Sequence, residues 1–343
     1  MNQPTVSIIV PVYNVEPYVE DCIRSVMRQT YDGPIECIIV DDCGTDDSIA
    51  VVERLISEYN GPISFNVLHH EHNRGLSAAR NTGMDAAIGD YLFFLDSDDE
   101  LTKDCIEKLM APVEGKQYDI VSSNFLHVDE KGQEILGERK YDEIVIEGTS
   151  LLPALNQQKW TISAWNKLYL SGFIRSNQLR FKEGLIFEDV LWSFQIASLA
   201  TSLCVVKDTT YIYKIRPGNI TSTNRKESYV PNYHVIFQEM NDFTEHNHVN
   251  STDVFYYMNL YFLRVISHFT DSSSKYVSVY HSLRPYIKTQ LTTIIHANRF
   301  HIKGIFRDLH YLMPCFFAPY WQYFVFVKIR SSIIKLVGVI KSI

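Results

Sequence analysis

Several common signatures are missing from these 343 residues. The six cysteines stand at positions 22, 37, 43, 105, 204 and 315, with no Cys-x-x-Cys pair. That argues against a structural zinc site and for a reducing cytoplasm. No Gly-x-Gly-x-x-Gly follows the first strand-like run, and no Gly-x-x-x-x-Gly-Lys-Ser/Thr occurs. The ordinary dinucleotide fingerprint and the P-loop are both absent. Positive charge is scarce: the net charge is −8, made of +5 over His301–Ile343 and −13 over the first 300 residues. An acidic body of this kind speaks against nucleic acid as a partner. The histidines from His234 to His310 show no metal-ligand spacing. Met1–Thr5 is short and polar, so no export signal is expected. Hydrophobic residues make up 46% and charged residues 21%, ordinary for one large domain or two smaller ones with a sizeable core.

What is there centres on Asp90–Glu100, Asp-Tyr-Leu-Phe-Phe-Leu-Asp-Ser-Asp-Asp-Glu. The run Leu92–Leu95 reads as a buried strand. Asp96, Asp98, Asp99 and Glu100 follow, and carboxylates cannot stay buried unpaired. A strand end facing a cleft solves the problem, and a hard divalent cation can share the acids there. Asp96 and Asp98, two apart, lie on one side of extended chain. Three other readings are open for this stretch alone: a solvated turn, a calcium loop with Glu107 at position twelve, and an Asp-x-Asp phosphatase nucleophile. The calcium loop lacks its glycine, because Leu101 stands at position six.

The first hundred residues alternate strand and helix. Val6–Val12, Ile35–Val40, Ile63–Leu68 and Tyr91–Leu95 read as strands. Pro17 opens a helix lined by Val19, Cys22, Ile23, Val26 and Met27. A second carries Val52, Leu55, Ile56 and Tyr59, and Ala78–Ala87 is a third, rich in small residues. This pattern predicts an α/β domain with a mainly parallel sheet and helices on both faces. Ligands bind such sheets at the carboxyl ends of the strands. Three of these strands end in Tyr13-Asn14, Asp41-Asp42 and Asp96-Ser97-Asp98, so one ligand touching all three is the economical reading.

Six segments resemble the family 2 glycosyltransferases, which have the GT-A fold and an inverting mechanism. They are Val6-Ser-Ile-Ile-Val-Pro-Val-Tyr-Asn14, Glu36-Cys-Ile-Ile-Val-Asp-Asp42 with Thr45-Asp46, Asn73-Arg-Gly-Leu-Ser-Ala-Ala-Arg-Asn-Thr-Gly83, Gly89-Asp-Tyr-Leu-Phe-Phe-Leu-Asp-Ser-Asp-Asp99, Trp165-Asn-Lys-Leu-Tyr169 and Phe187-Glu-Asp-Val-Leu-Trp192. Together they cover roughly the first 220 residues in order. One departure stands at Cys43-Gly44, where the family usually has Gly-Ser; a local turn difference without loss of function is expected.

The resemblance implies a nucleotide-diphosphate sugar as donor. Pro11, Tyr13 and Asp41 would surround the base and ribose, and Arg80 and Asn81 would line the donor site. Asp96 would reach the ribose or a metal-bound water, and Asp98 would bind the Mg²⁺ or Mn²⁺ that bridges the phosphates. Arg80 could equally balance the acidic cluster. Glu188-Asp189, at the start of a helix and among Phe187, Val190, Leu191, Trp192 and Phe194, is the second chemical centre. Partial burial would lift a carboxylate toward general-base values. The resemblance places the base at Asp189, with Glu188 as the fallback. Asn166 and Lys167 are candidates for acceptor or diphosphate contact. Tyr213, Lys214 and Arg216, before a turn at residues 217–219, could close over the diphosphate.

The expected division is a catalytic domain over residues 1–225, a helical region over 226–315 and a basic, aromatic tail over 316–343. In the helical region, Val254–Phe269, Tyr276–Ile295 and Ile302–Leu312 look helical. Lys328 and Arg330 interrupt the apolar run of the tail, so an amphipathic helix lying on an anionic membrane is expected rather than a spanning one. The whole reads as a cytoplasmic enzyme on the inner face of a bacterial membrane. It would transfer sugar to a saccharide or lipid-linked acceptor in surface polysaccharide synthesis. The rivals are an Asp-nucleophile phosphatase and a nucleotide-binding scaffold without turnover.

Overall fold

In a computed structural model, residues 3–129, 131–135, 140–216, 226–249, 251–269, 275 and 277–287 are described. The strand β1 (Val6–Val12) is buried at all seven positions, as a strand covered by helices on both faces must be. It lies between β2 (Ile35–Asp41) and β4 (Tyr91–Phe94) and is parallel to both, and β3 (Ser64–His69) continues the parallel half beyond β2. The connecting helices are α1 (Glu16–Met27), α2 (Ser48–Glu58) and α3 (Leu76–Ala86). Helix α1 buries Val19, Cys22, Ile23 and Val26, the stripe its spacing predicts. Helix α3 lies so close to β1 that a Cβ at Gly83 would stand 2.4 Å from Ile9 Cγ2. Only glycine allows that approach, and it fixes where the rest of α3 points.

Beyond β4 the sheet turns mixed. The order is β3-β2-β1-β4-β8-β6-β9-β5, with β7 also on β9. The strand β5 is Glu100–Leu101 and helix α4 is Cys105–Met110; β6 is Ile120–Val128 and β7 is Ile144–Glu147. After the short α5 (Leu152–Asn156) come β8 (Lys167–Leu170), α6 (Ser171–Ser176), α7 (Glu188–Leu199) and β9 (Ser202–Lys214). Strand β8 runs antiparallel to both β4 and β6, while β9 is parallel to β6. The expected α/β architecture is therefore present, all-parallel over β3, β2, β1 and β4 and mixed beyond them. Strands β7 and β8 went unread in the sequence because four residues each are too few for an alternation to stand out.

The chain divides into two compact units, one of Met1–Ala154 with Gln158–Ser222, the other of Leu155–Gln157 with Thr223–Ile343. The second contains α8 (Val230–Asn247), α9 (Ser251–Ser267) and a helical stretch at 277–287. Helix α8 lies in the region expected to be helical but was not singled out there; Tyr233, Ile236, Phe237 and Met240 form its buried stripe, diluted in the sequence by His, Asn and Gln. The turn at 217–219, the expected helical segments from residue 288 onward and the tail at 316–343 lie outside the described residues. Among those described, no helix is long and apolar enough to cross a membrane.

Candidate active site

The carboxyl ends of β1, β2 and β4 meet, and each places its polar residues differently. At the end of β1, Pro11 is buried while Tyr13 and Asn14 are exposed. Pro11, expected beside the base and ribose, packs within the strand. Asn14 adopts φ +50 and its side-chain oxygen accepts the Thr45 N–H at 2.7 Å, tying the β1 end to the turn after β2.

The two aspartates ending β2 point to opposite sides, as neighbours on a strand must. Asp42 is buried and fully engaged. It accepts the Arg74 and Gly75 N–H groups, both at 2.8 Å, and pairs with His70 Nδ1 at 2.7 Å. The other His70 nitrogen meets Thr82 Oγ1 at 2.9 Å. Asp42 thus anchors the loop that leads into α3. Asp41 stays partly exposed, with His69 Nδ1 at 3.1 Å and the Gly44 N–H at 3.3 Å. Cys43 holds φ +57 at the position where the resembled family carries glycine. A side chain in that left-handed conformation costs roughly 1–2 kcal/mol.

After β4, the backbone turns at Asp96, whose carbonyl accepts the Asp99 N–H at 3.0 Å. Each acid then takes its own partner. Asp96 accepts Arg80 Nη2 at 2.8 Å. Asp98 accepts Arg216 Nε at 2.6 Å. Asp99 is buried, accepting the Tyr211 hydroxyl at 2.7 Å and the Lys214 N–H at 2.9 Å. Glu100 meets Lys214 Nζ at 2.6 Å. Tyr211 also accepts the Asp96 N–H at 3.3 Å, so Asp99 sets the position of Asp96 through one phenol. The calcium-loop reading fails here: Glu107 lies on α4 and bonds the Thr30 hydroxyl.

Burial, followed by the field of Asp96, pushes the Asp98 carboxyl above its ordinary value, although Arg216 pulls the other way. Its negative charge is under-compensated, and a divalent cation fits that deficit. Among the described residues no group of three or more His, Cys, Asp or Glu gathers around one point. Mg²⁺ does not require one; it is commonly held by one or two carboxylates, with phosphate oxygens and water completing its shell.

The second acid pair comes from 90 residues further along the chain. Phe187 adopts φ +67, a costly left-handed conformation for an aromatic residue, and α7 starts directly after it. Glu188 and Asp189 occupy the first turn, where the helix dipole favours anions. Both face Arg80: its Nη1 lies 2.8 Å from Glu188 and 3.1 Å from Asp189. Burial and the neighbouring Asp189 push Glu188 up to about 7, against the pull of Arg80. Burial also raises Asp189, while Arg80, the Ala164 backbone N–H and Lys167 hold it down.

Arg80 is therefore the hub of the site. It is 1% exposed, and one guanidinium joins the acid that ends β4 to both acids that open α7. Its plane lies 5.1 Å above the Phe181 ring, which stacks on Trp192 at 4.1 Å. Asn81, next to it, accepts the Phe181 N–H and donates to the Phe181 carbonyl. Both residues, expected to line the donor site, are buried and hold its frame together. Asn166 and Lys167, read as acceptor or diphosphate contacts, are completely buried, which corrects that reading. Asn166 accepts the hydroxyls of Ser123 and Thr210, each at 2.8 Å. Tyr213 stacks against Trp165, and Lys214 pairs with Asp21 and Glu100. Of that trio, Arg216 is the one that pairs with Asp98. The hub was discoverable in principle: an arginine among Ala78, Ala79 and Gly83 has no solvent-facing reason to be there.

A parallel strand group with an acid-bearing turn after its last member, extended by an antiparallel strand, defines a GT-A-type glycosyltransferase fold. The solved structure of Staphylococcus aureus TarS residues 1–349 in complex with UDP-GlcNAc shares it, with a TM-score of 0.68 and 21% identity over 83% of this chain and 82% of that one. Residues 7–177 match Glycosyl transferase family 2, and the chain belongs to that family. Two curated glycosyltransferases of Streptococcus pneumoniae are similar. GlyA is 34% identical over 63% of this chain, and GlyG is 29% identical over 64%. The chain spans 31% of the length of GlyA and 73% of GlyG. Family membership sets the phosphatase reading aside.

Proposed function

We propose that this chain is an inverting glycosyltransferase of surface polysaccharide synthesis, taking its sugar from a nucleotide diphosphate and giving it to a saccharide or lipid-linked hydroxyl. The observation that carries this reading is the Arg80 bridge from Asp96 to Glu188 and Asp189. It supports a donor site and a base held against one rigid centre, as in-line displacement requires. Tyr13 and Asp41 would receive the base and ribose. Asp98, with Asp96, would hold Mg²⁺ or Mn²⁺, which supplies charge stabilisation to the departing diphosphate. Arg216 would move from Asp98 to the diphosphate oxygens. Asp189 takes the proton of the acceptor hydroxyl; that oxygen forms the new bond to the anomeric carbon, and the bond to the diphosphate oxygen breaks. Arg80 and the Ala164 N–H favour the ionised form the base needs, against burial.

The test is release of nucleotide from UDP-, GDP- and dTDP-sugars with Mg²⁺, Mn²⁺ or chelator. The UDP-GlcNAc complex of TarS makes uridine donors the first to try. One donor class is expected to turn over, with chelation slowing it by about 10² or more. Turnover indifferent to chelator would remove the metal, and no release from any donor would remove the transferase.

The +5 charge of His301–Ile343 supports peripheral attachment to an anionic membrane. The full chain is expected to float with anionic vesicles, and a chain ending at residue 315 to stay behind. Equal flotation of the two would end that part of the proposal.

A further inference from the structure

Asp96 and Asp98 are each held by an arginine, and the two arginines differ in kind. Arg80 is 1% exposed and tied to three carboxylates at once, so it belongs to the frame. Arg216 keeps 24% of its side chain open. Among the described residues, one hydrogen bond holds its guanidinium, from Nε to Asp98 Oδ2 at 2.6 Å. The group also lies 5.0 Å from the centre of the Tyr18 ring on α1, a face it can leave without stranding a charge.

The backbone that carries Arg216 is fixed. The Lys214 N–H donates to Asp99 Oδ1 at 2.9 Å, and the Ile215 N–H donates to the Val128 carbonyl at 2.9 Å. The Lys214 ammonium is committed elsewhere, to Asp21 at 3.0 Å and Glu100 at 2.6 Å. The end of β9 thus delivers Arg216 to Asp98 and leaves its side chain as the part that can move.

A divalent cation at Asp98 would stand next to this guanidinium. Two cations on one carboxylate repel each other, and more strongly where water is partly excluded. A cation arriving alone must displace Arg216 or bear that repulsion. A diphosphate changes the balance, because it brings several negative charges. Arg216 gains phosphate oxygens that match its planar fork, and the cation gains oxygen ligands beyond Asp98.

We propose that Arg216 is a removable counter-ion that closes Asp98 to the divalent cation until a nucleotide diphosphate draws the guanidinium away. The inference rests on the reading of Asp98 as the carboxylate that holds the metal. Cation and nucleotide then enter as one charge-balanced unit, and each raises the affinity of the other by the same factor.

The experiment measures Mn²⁺ uptake by the full chain, from the loss of the free-ion electron paramagnetic resonance signal. Titrations are run without nucleotide and with UDP, GDP or dTDP, corrected for the Mn²⁺–nucleotide complex formed without protein. Without nucleotide, Arg216→Met is expected to bind Mn²⁺ about tenfold more tightly than the unaltered chain. Adding Asp98→Asn to that variant removes the gain. With the nucleotide that binds, the gap between Arg216→Met and the unaltered chain closes. Lys214→Met is the control for a general change of field: it deletes a neighbouring cation that pairs with Asp21 and Glu100, and Mn²⁺ affinity stays where it was. A folded Arg216→Met that binds Mn²⁺ alone no more tightly than the unaltered chain overturns the inference, as does an equal gain in Lys214→Met. Should Arg216→Met not fold, Arg216→Gln, which keeps a polar side chain at this partly open position, decides on the same comparison. No Mn²⁺ uptake by the unaltered chain with any of the three nucleotides sinks the metal reading itself, and the counter-ion role with it.

Discussion

Arg80→Met is expected to destabilise the first unit by roughly 3 kcal/mol and to abolish turnover. Removing one partner from a buried ion pair costs about 3–5 kcal/mol, because the charge left behind has no compensation. Here three carboxylates are left behind: Asp96, Glu188 and Asp189. They keep some contact with water, which places the expectation at the low end of that range. A loss of this size lowers the melting temperature by about 6–12 °C for a unit of this length. The sign of the pH dependence follows from the charges. With Arg80 gone, the pKa values of Glu188 and Asp189 rise further, so the deficit is largest where they are ionised and shrinks as pH falls. Thermal denaturation across pH measures it, and a double variant with Glu188→Gln should recover part of the loss. An unchanged melting temperature in Arg80→Met would show that the guanidinium is not the hub.

Asp189→Asn is expected to lower kcat by about 10³, inside the 10²–10⁴ range of a lost general base, while the nucleotide still binds. The amide keeps the shape of the side chain, so the fold should hold. In the unaltered enzyme, activity should fall as pH drops through the raised pKa of Asp189, because the protonated acid cannot take the acceptor proton. That acid limb should lie above the ordinary aspartate value of 3.8, since burial raises the group. Isothermal titration with UDP and single-turnover rates separate binding from chemistry. Wild-type single-turnover rates in Asp189→Asn would transfer the role to Glu188, whose carboxyl is pushed up to about 7.

The first half of the fold was legible because each strand there is a continuous apolar run between helices with a clear stripe. Val6–Val12 is the plainest case: all seven residues are buried, and the sequence reads the same way. The acids were legible as a group, since charge at the end of a buried strand has few places to go. Their division of labour was not. Asp41 and Asp42 are identical neighbours in the sequence, yet one stays partly open and the other is sealed against His70, Arg74 and Gly75. Asp96, Asp98 and Asp99 likewise take Arg80, Arg216 and Tyr211, from two distant segments.

The clearest misreading was Lys167. A lysine in Trp-Asn-Lys looks like a hand extended to a phosphate, because a charge in water costs nothing. Three oxygen acceptors from Ser163 and Trp165 make its burial possible, and backbone carbonyls leave no mark in a sequence. The sequence by itself determined the strand–helix alternation, the edge of the sheet where chemistry gathers and the family, since these follow from local apolar periodicity and contiguous motifs. Tertiary structure alone decided that Arg80 joins Asp96 to Glu188 and Asp189 and that Lys167 is buried against backbone carbonyls. The first depends on Arg80 meeting acids 108 and 109 residues away, the second on whether a buried charge finds partners.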